Sequence, residues 1–126
     1  MLFIYRYLAI FLFPIFIIII FLRSFFNKED KKRFKEKIFS SYFKPHRDNQ
    51  KKLIWFHASS IGECLSILPL IDELNKQNKN LSFLITSVTL SSSKLLEKKL
   101  KQLPNTTHRF FPLDLEKLAE DFLNAW

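Results

Sequence analysis

Residues 53–64 read LIWFHASSIGEC. The first six, LIWFHA (53–58), form a short apolar run rich in β-formers. A run of this kind bounded by turn residues reads as a buried strand. Two serines follow, and then a helix-like pattern opens at Glu63. Gly62 stands at that junction and is the only glycine among 126 residues. A glycine at a strand-to-helix turn permits a positive φ, or lets a ligand approach the backbone closely. The stretch therefore reads as a strand whose carboxyl end turns directly into a helix.

The same unit recurs downstream. ECLSILPLIDELNKQ (63–77) spaces Leu65, Leu68, Ile71 and Leu74 by three, which predicts a helix. Pro69 is expected to bend that helix or to confine its regular part to the residues after the proline. LSFLITSV (81–88) predicts a second buried strand. TLSSSKLLEKKLKQL (89–103) predicts a helix capped by Thr89 or Ser91, with lysines toward its C-terminus. HRFFPLD (108–114) predicts a third strand ending at Pro112, and LEKLAEDFLNAW (115–126) a third helix with Asp114 as its cap. A β-α-β-α-β-α order implies an α/β fold with a parallel sheet wound in one sense. Three strands make a narrow sheet with exposed edges.

Charge divides the chain into three parts. Residues 1–22 carry one charge, Arg6; residues 23–52 carry eleven Lys/Arg against four Asp/Glu; residues 53–126 carry eight of each. The whole formal charge of +8 thus precedes residue 53. A pI near 9.7 would ordinarily suggest nucleic-acid binding. The neutral α/β part argues against it, because the excess sits beside an apolar segment.

That segment, LFIYRYLAIFLFPIFIIIIFL (2–22), approaches the length of a spanning helix once Arg6 is allowed to snorkel. No A-x-A-like site comes after it, so it reads as an uncleaved membrane anchor, residues 1–22, rather than a signal peptide. Pro14 and the modest length leave a monotopic helix open as well. The positive-inside rule then puts residues 23–126 on the cytoplasmic side of the membrane. The single cysteine, Cys64, agrees with a reducing compartment. Residues 23–52 form a basic juxtamembrane segment in which Phe34, Ile38, Phe39, Tyr42 and Phe43 suggest an interface-hugging helix. Its cations either meet anionic lipid headgroups or grip a phosphorylated lipid substrate. His46, after Pro45, reads as a loop residue.

In parallel α/β folds ligands sit where strands turn into helices. Two polar stretches lie there: SSIGE (59–63) and TSVTLSSS (86–93). Glu63 has two readings, a carboxylate favouring the helix dipole or a general base facing a cleft. The hydroxyls of the second stretch suit capping or ligand contact. His57, at the strand end, is either structural or in contact with ligand.

The residues IWFHASSIGE, LPLIDEL, LITSVTLSSS, FFPLDL and FLNAW, in that order, resemble the N-terminal half of the bacterial 3-deoxy-D-manno-octulosonic acid (Kdo) transferases. The apolar start and the basic KKRFKEK stretch also match that pattern, and the resemblance covers nearly the whole chain. It implies the N-terminal Rossmann-like half of a GT-B glycosyltransferase, residues 53–126, preceded by a membrane helix. In that family the N-terminal domain takes the acceptor, the lipid A precursor lipid IVA. The C-terminal domain takes the donor, CMP-Kdo. The resemblance makes Glu63 the catalytic base, in an inverting transfer that needs neither a metal nor another cofactor. It places Ser60, Gly62, Thr86 and Thr89 on the acceptor wall. Lys31, Lys32, Arg33 and Lys35 become candidates for acceptor phosphates. Ser91, Ser92 and Ser93 stand where the family turn carries a glycine.

The resemblance also implies a donor domain beyond what these residues provide, so the acceptor half is expected to be inactive alone. Two other readings compete with it. One is a membrane-anchored, non-catalytic α/β interaction module, in which Glu63→Ala would be silent. The other is a GT-B transferase with a different membrane acceptor.

Overall fold

The computed structural model of the chain describes residues 2–43, 48 and 50–126; His46 lies outside the described residues. The chain divides into two compact units, residues 46–111 and residues 1–45 with 112–126.

The unit of residues 46–111 is an α/β layer. Its strands are β1 (Lys52–Ala58), β2 (Leu81–Ser87) and β3 (Thr106–Phe110), all parallel and ordered β1-β2-β3. Parallel neighbours need crossover connections, and the helices α2 (Ile61–Gln77) and α3 (Leu90–Lys99) supply them. The central strand β2 is buried along its whole length. Its mixture of Phe83, Leu84 and Ile85 without alternation suits a strand covered on both faces. One face carries the core: Ala58, Leu81, Phe83 and Ile85 pack with Cys64 and Ile71 of α2 and Leu96 of α3. Among the described residues, β1 and β3 each leave an outer edge unpaired.

Both helix starts are capped as their sequences ask. Ser60 is the N-cap of α2 and accepts from the Glu63 N–H; Thr89 is the N-cap of α3 and accepts from the Ser92 N–H. Of the two expected caps for α3, Thr89 is the one used. Pro69 does not restrict α2, which runs through it as one element. Helix α3 ends sooner than its periodicity suggested, and Leu100–Gln102 tighten into a 3₁₀ turn. Strand β3 lies two residues earlier than expected at its start. Thr106 and Thr107 join the ladder, because Asn105 makes the preceding turn with a φ of 60°.

Gly62 corrects an expectation. It has no positive φ. It sits in the first turn of α2, and a Cβ placed there would meet only the Ser60 Oγ at 4.0 Å. Backbone conformation therefore does not demand this glycine; the space beside it is open.

The other unit begins with α1 (Leu2–Phe25), which carries Pro14 and ends in Arg23. Among the described residues it is the one helix long and apolar enough to cross a membrane. Asn27 closes it with a φ of 57°, and the Lys28 N–H reaches the Arg23 carbonyl at 2.8 Å. That is the left-handed helix end that glycine usually provides. The basic segment is not a continuous helix but two short 3₁₀ turns, Phe34–Lys37 and Ser40–Tyr42. Phe34 and Ile38 are buried with Ile20, against Phe13, Ile17 and Leu113. Helix α4 (Glu116–Ala125) contributes Phe122, edge-on to Phe43 at 5.3 Å. The N-cap of α4 is Leu115, without a side-chain cap. Asp114 instead accepts a hydrogen bond from the Tyr5 hydroxyl at 2.6 Å, so it does not cap the helix.

Candidate functional site

The carboxyl ends of β1 and β2 gather most of the chemistry-bearing side chains of the α/β unit. Strand alternation places Trp55 and His57 on one face of β1, opposite the face that Ile54, Phe56 and Ala58 turn to the core. Register sets His57 beside Thr86. The Thr86 hydroxyl accepts from the Trp55 indole N–H at 2.9 Å and lies 2.9 Å from His57 Nδ1. Phe111 extends the β3 ladder by one bond, from its N–H to the Ser87 carbonyl. Its ring stacks on Trp55 at 6.3 Å and meets His57 at 4.7 Å. Two rings on an exposed strand end are thus fixed from below by a buried hydroxyl and from the side by an aromatic.

Glu63 lies in the first turn of α2. Its own N–H donates to the Ser60 Oγ at 3.2 Å, and its Oε2 accepts from the Ser59 N–H at 2.7 Å. This reciprocal arrangement is a variant of the capping box, with the carboxylate reaching one residue further back than usual. The Ser59 N–H, and next the Ser60 hydroxyl, hold the Glu63 carboxyl below the usual glutamate range; the nearby His57 acts in the same direction. The side chain is exposed. An ionised, fixed and accessible carboxylate at a strand-to-helix turn can accept a proton from a bound hydroxyl. Its lowered basicity makes it a weaker base than a neutral-range carboxylate would be.

The remaining sequence-derived candidates separate by environment. Ser60 and Thr89 are exposed caps at adjacent helix starts, and Gly62 is exposed between Ser60 and Glu63. Thr86 is fully buried, so its hydroxyl serves Trp55 and His57 rather than the surface. Lys31, Lys32 and Lys35 are exposed and belong to the other unit. Arg33 is engaged in a two-pronged ion pair with Glu36, at 2.8 and 3.0 Å. Lys37 is buried with Glu29, Nζ to Oε2 at 2.7 Å, and Arg23 joins the same carboxylate at 3.1 Å. Three of these cations therefore neutralise carboxylates of their own unit. Among the described residues no cluster of His, Cys, Asp and Glu could hold a metal ion.

Sequence reasoning left out Ser59, Trp55 and Phe111. A signal for Trp55 was present, since it stands two residues before His57 and so shares its face. Phe111 could not be placed without knowing where β3 ends.

Known proteins share this sequence. The family model described as 3-deoxy-D-manno-octulosonic-acid transferase (kdotransferase) matches residues 32–126. A 3-deoxy-D-manno-octulosonic acid transferase of Rickettsia bellii is 39% identical over 122 residues, covering 97% of this chain and 28% of that protein. The enzyme of the same name from Rickettsia prowazekii is 30% identical, covering 100% of this chain and 35% of the relative. A probable mitochondrial 3-deoxy-D-manno-octulosonic acid transferase of Arabidopsis thaliana is 37% identical over 75 residues. The chain thus spans about a third of the length of the curated relatives it matches most fully. No solved structure matches it. With a parallel α/β layer, a glutamate fixed at its strand ends and a family match that contains both, the chain belongs to the 3-deoxy-D-manno-octulosonic acid transferase family.

Proposed function

We propose that this chain provides the acceptor side of a GT-B transferase that moves Kdo from CMP-Kdo to the lipid A precursor, lipid IVA. Glu63 is the general base. It takes the proton from an acceptor sugar hydroxyl, whose oxygen attacks the anomeric carbon of Kdo. The bond from that carbon to the CMP phosphate breaks, CMP departs with the electron pair, and the configuration inverts. A base needs to be unprotonated and held in place before it can act; an exposed glutamate is unprotonated at neutral pH, and the Ser59 N–H, donating to Oε2 at 2.7 Å, fixes the Glu63 carboxylate at the strand-to-helix turn. That single observation carries the reading. Ser60 and Thr89, on the exposed ends of α2 and α3, offer hydroxyls to the acceptor, and the open space at Gly62 admits it close to the backbone. Lys31, Lys32 and Lys35 are exposed cations suited to phosphates of the acceptor or of neighbouring headgroups. The apolar α1 holds the enzyme at the inner membrane, with its catalytic part on the cytoplasmic side.

The test joins this chain to a donor-binding domain of the kind that completes its longer relatives, and measures Kdo transfer from CMP-Kdo to lipid IVA. The chain alone is expected to be inactive and the joined enzyme active. Glu63→Gln keeps the capping acceptor but removes the base, and is expected to lower kcat by about 100-fold or more. Transfer at an unchanged rate in Glu63→Gln would sink the reading.

A further inference from the structure

The exposed ring of His57 stands between a buried hydroxyl and the turn that carries Glu63, and its two nitrogens face different partners. Nδ1 lies 2.9 Å from the Thr86 Oγ1, while Nε2 lies 3.4 Å from the exposed Ser59 Oγ. The Thr86 oxygen already accepts from the Trp55 N–H, which can only donate. Its single proton has two acceptors in reach, the Phe56 carbonyl at 3.4 Å and His57 Nδ1 at 2.9 Å. The shorter contact is the one with normal hydrogen-bond length for a hydroxyl donor. With the Thr86 proton on Nδ1, the neutral ring carries its own hydrogen on Nε2. Phe111 packs against the ring and limits its tilt. The result is a fixed N–H group at the end of β1, next to Ser59, whose own backbone N–H holds Glu63.

We propose that His57, held by Thr86 as the Nε2–H tautomer, donates a hydrogen bond from Nε2 to an oxygen of the hydroxyl-rich acceptor beside the Glu63 carboxylate. The proposal rests on the acceptor-side reading above and adds a second contacting side chain to it. A donor and an acceptor side by side suit a sugar that presents neighbouring hydroxyls. The carboxylate takes a proton from one oxygen, and the imidazole fixes the position of another.

Ring ¹⁵N resonances of the full chain test the first half without any ligand. Nδ1 is expected to resonate as the unprotonated nitrogen and Nε2 as the protonated one at neutral pH, and Thr86→Val is expected to erase that bias. Protonated Nδ1 in the wild type overturns the proposal. Substitutions test the second half, with binding of lipid IVA in detergent micelles read by Trp55 fluorescence in a Trp126→Phe background. His57→Gln sets an amide N–H near the place of Nε2, and His57→Asn sets one near the place of Nδ1. The proposal expects His57→Ala and His57→Asn each to weaken binding roughly tenfold, and His57→Gln to restore most of it. A ring that serves only to satisfy Thr86 would show the reverse order, with Asn the better replacement, and that result overturns the proposal. Both outcomes are separable from failure of the acceptor-side reading, which shows as undiminished Kdo transfer by Glu63→Gln.

Discussion

At the scale of single residues, Glu63 carries two tasks at once. It completes the cap of α2 through Ser59 and Ser60, and it presents a charged carboxylate to solvent. From the sequence these tasks looked like alternatives; the structure allows both, because one carboxylate oxygen is enough for the Ser59 N–H. The lowered pKa makes stability depend on pH. A carboxyl that is more acidic folded than unfolded stabilises the fold above its unfolded pKa, and that contribution is lost as pH falls through the folded value. The expected outcome is that Glu63→Gln lowers Tm in the neutral region, where the ionised carboxylate contributes, and flattens the decline of Tm in the acid range at and below pH 4.5, the ordinary glutamate value. Melting curves of both proteins across that range check it; equal slopes would contradict the cap. Gly62 gives a second residue-level prediction. Neither φ nor crowding requires a glycine there. Gly62→Ala is therefore expected to stabilise α2 by up to about 1 kcal/mol. On the proposed acceptor-side reading, the same change is expected to weaken lipid IVA binding, because the added methyl fills the space at the helix start. A Tm that rises while affinity falls would separate fold from function at one position.

At the scale of elements, the sequence was most legible where hydrophobic periodicity met a capping residue. All three strands and the helices of the α/β unit fell where the patterns of LIWFHA, LSFLITS and the leucine spacings put them, within a few residues. Two segments read less well, for physical reasons. Phe34 and Ile38, four apart, imitate a helix face, yet the chain there folds into 3₁₀ turns. The Lys37 carbonyl accepts from the Leu113 N–H at 2.9 Å, and the Lys37 ammonium is buried on Glu29. Those long-range partners are invisible to local spacing. The start of β3 was misplaced because the turn before it uses no glycine. Asn105 takes the left-handed conformation instead, and its carbonyl accepts from the Phe83 N–H at 2.8 Å. Asparagine tolerates this region where other residues meet a steric cost. Asn105→Gly is expected to leave stability within about 0.5 kcal/mol of wild type, and Asn105→Ala to lower it by about 1 kcal/mol. Urea unfolding of the three proteins would decide the matter, and an alanine variant as stable as the glycine one would refute the account. Among the described residues, a chain with one glycine thus builds its left-handed turns at Asn27 and Asn105.

At the scale of the whole molecule, the question is how the apolar start meets a bilayer. Composition alone left a spanning helix and an in-plane helix open. The unit that contains α1 supplies contacts that bear on the choice. Leu113 packs against the buried cluster of Ile20, Phe34 and Ile38, whereas Asp114 and Glu116 meet Tyr5 and Arg6 near the first turn of α1. Residues 113–116 thus run along α1, over about 10 Å at roughly 3.3 Å per residue of extended chain. A helix crossing the bilayer would carry those two carboxylates into hydrocarbon or past it, at a cost of several kcal/mol. A helix lying in the interface keeps them at the headgroups and still offers Phe3, Ile4, Tyr7 and Phe11, all exposed, to lipid. The exposed Lys31, Lys32 and Lys35 then add attraction to anionic headgroups, which salt weakens. The in-plane arrangement is the expected outcome. Its check uses Cys64→Ser as background, because Cys64 is the only native thiol, and adds single cysteines by Phe3→Cys or Phe26→Cys. On sealed vesicles carrying the protein on their outer face, a membrane-impermeant maleimide should label both positions from outside. Labelling at position 26 but not at position 3 would mean that α1 crosses the bilayer and that its contacts with Asp114 and Glu116 give way when it does.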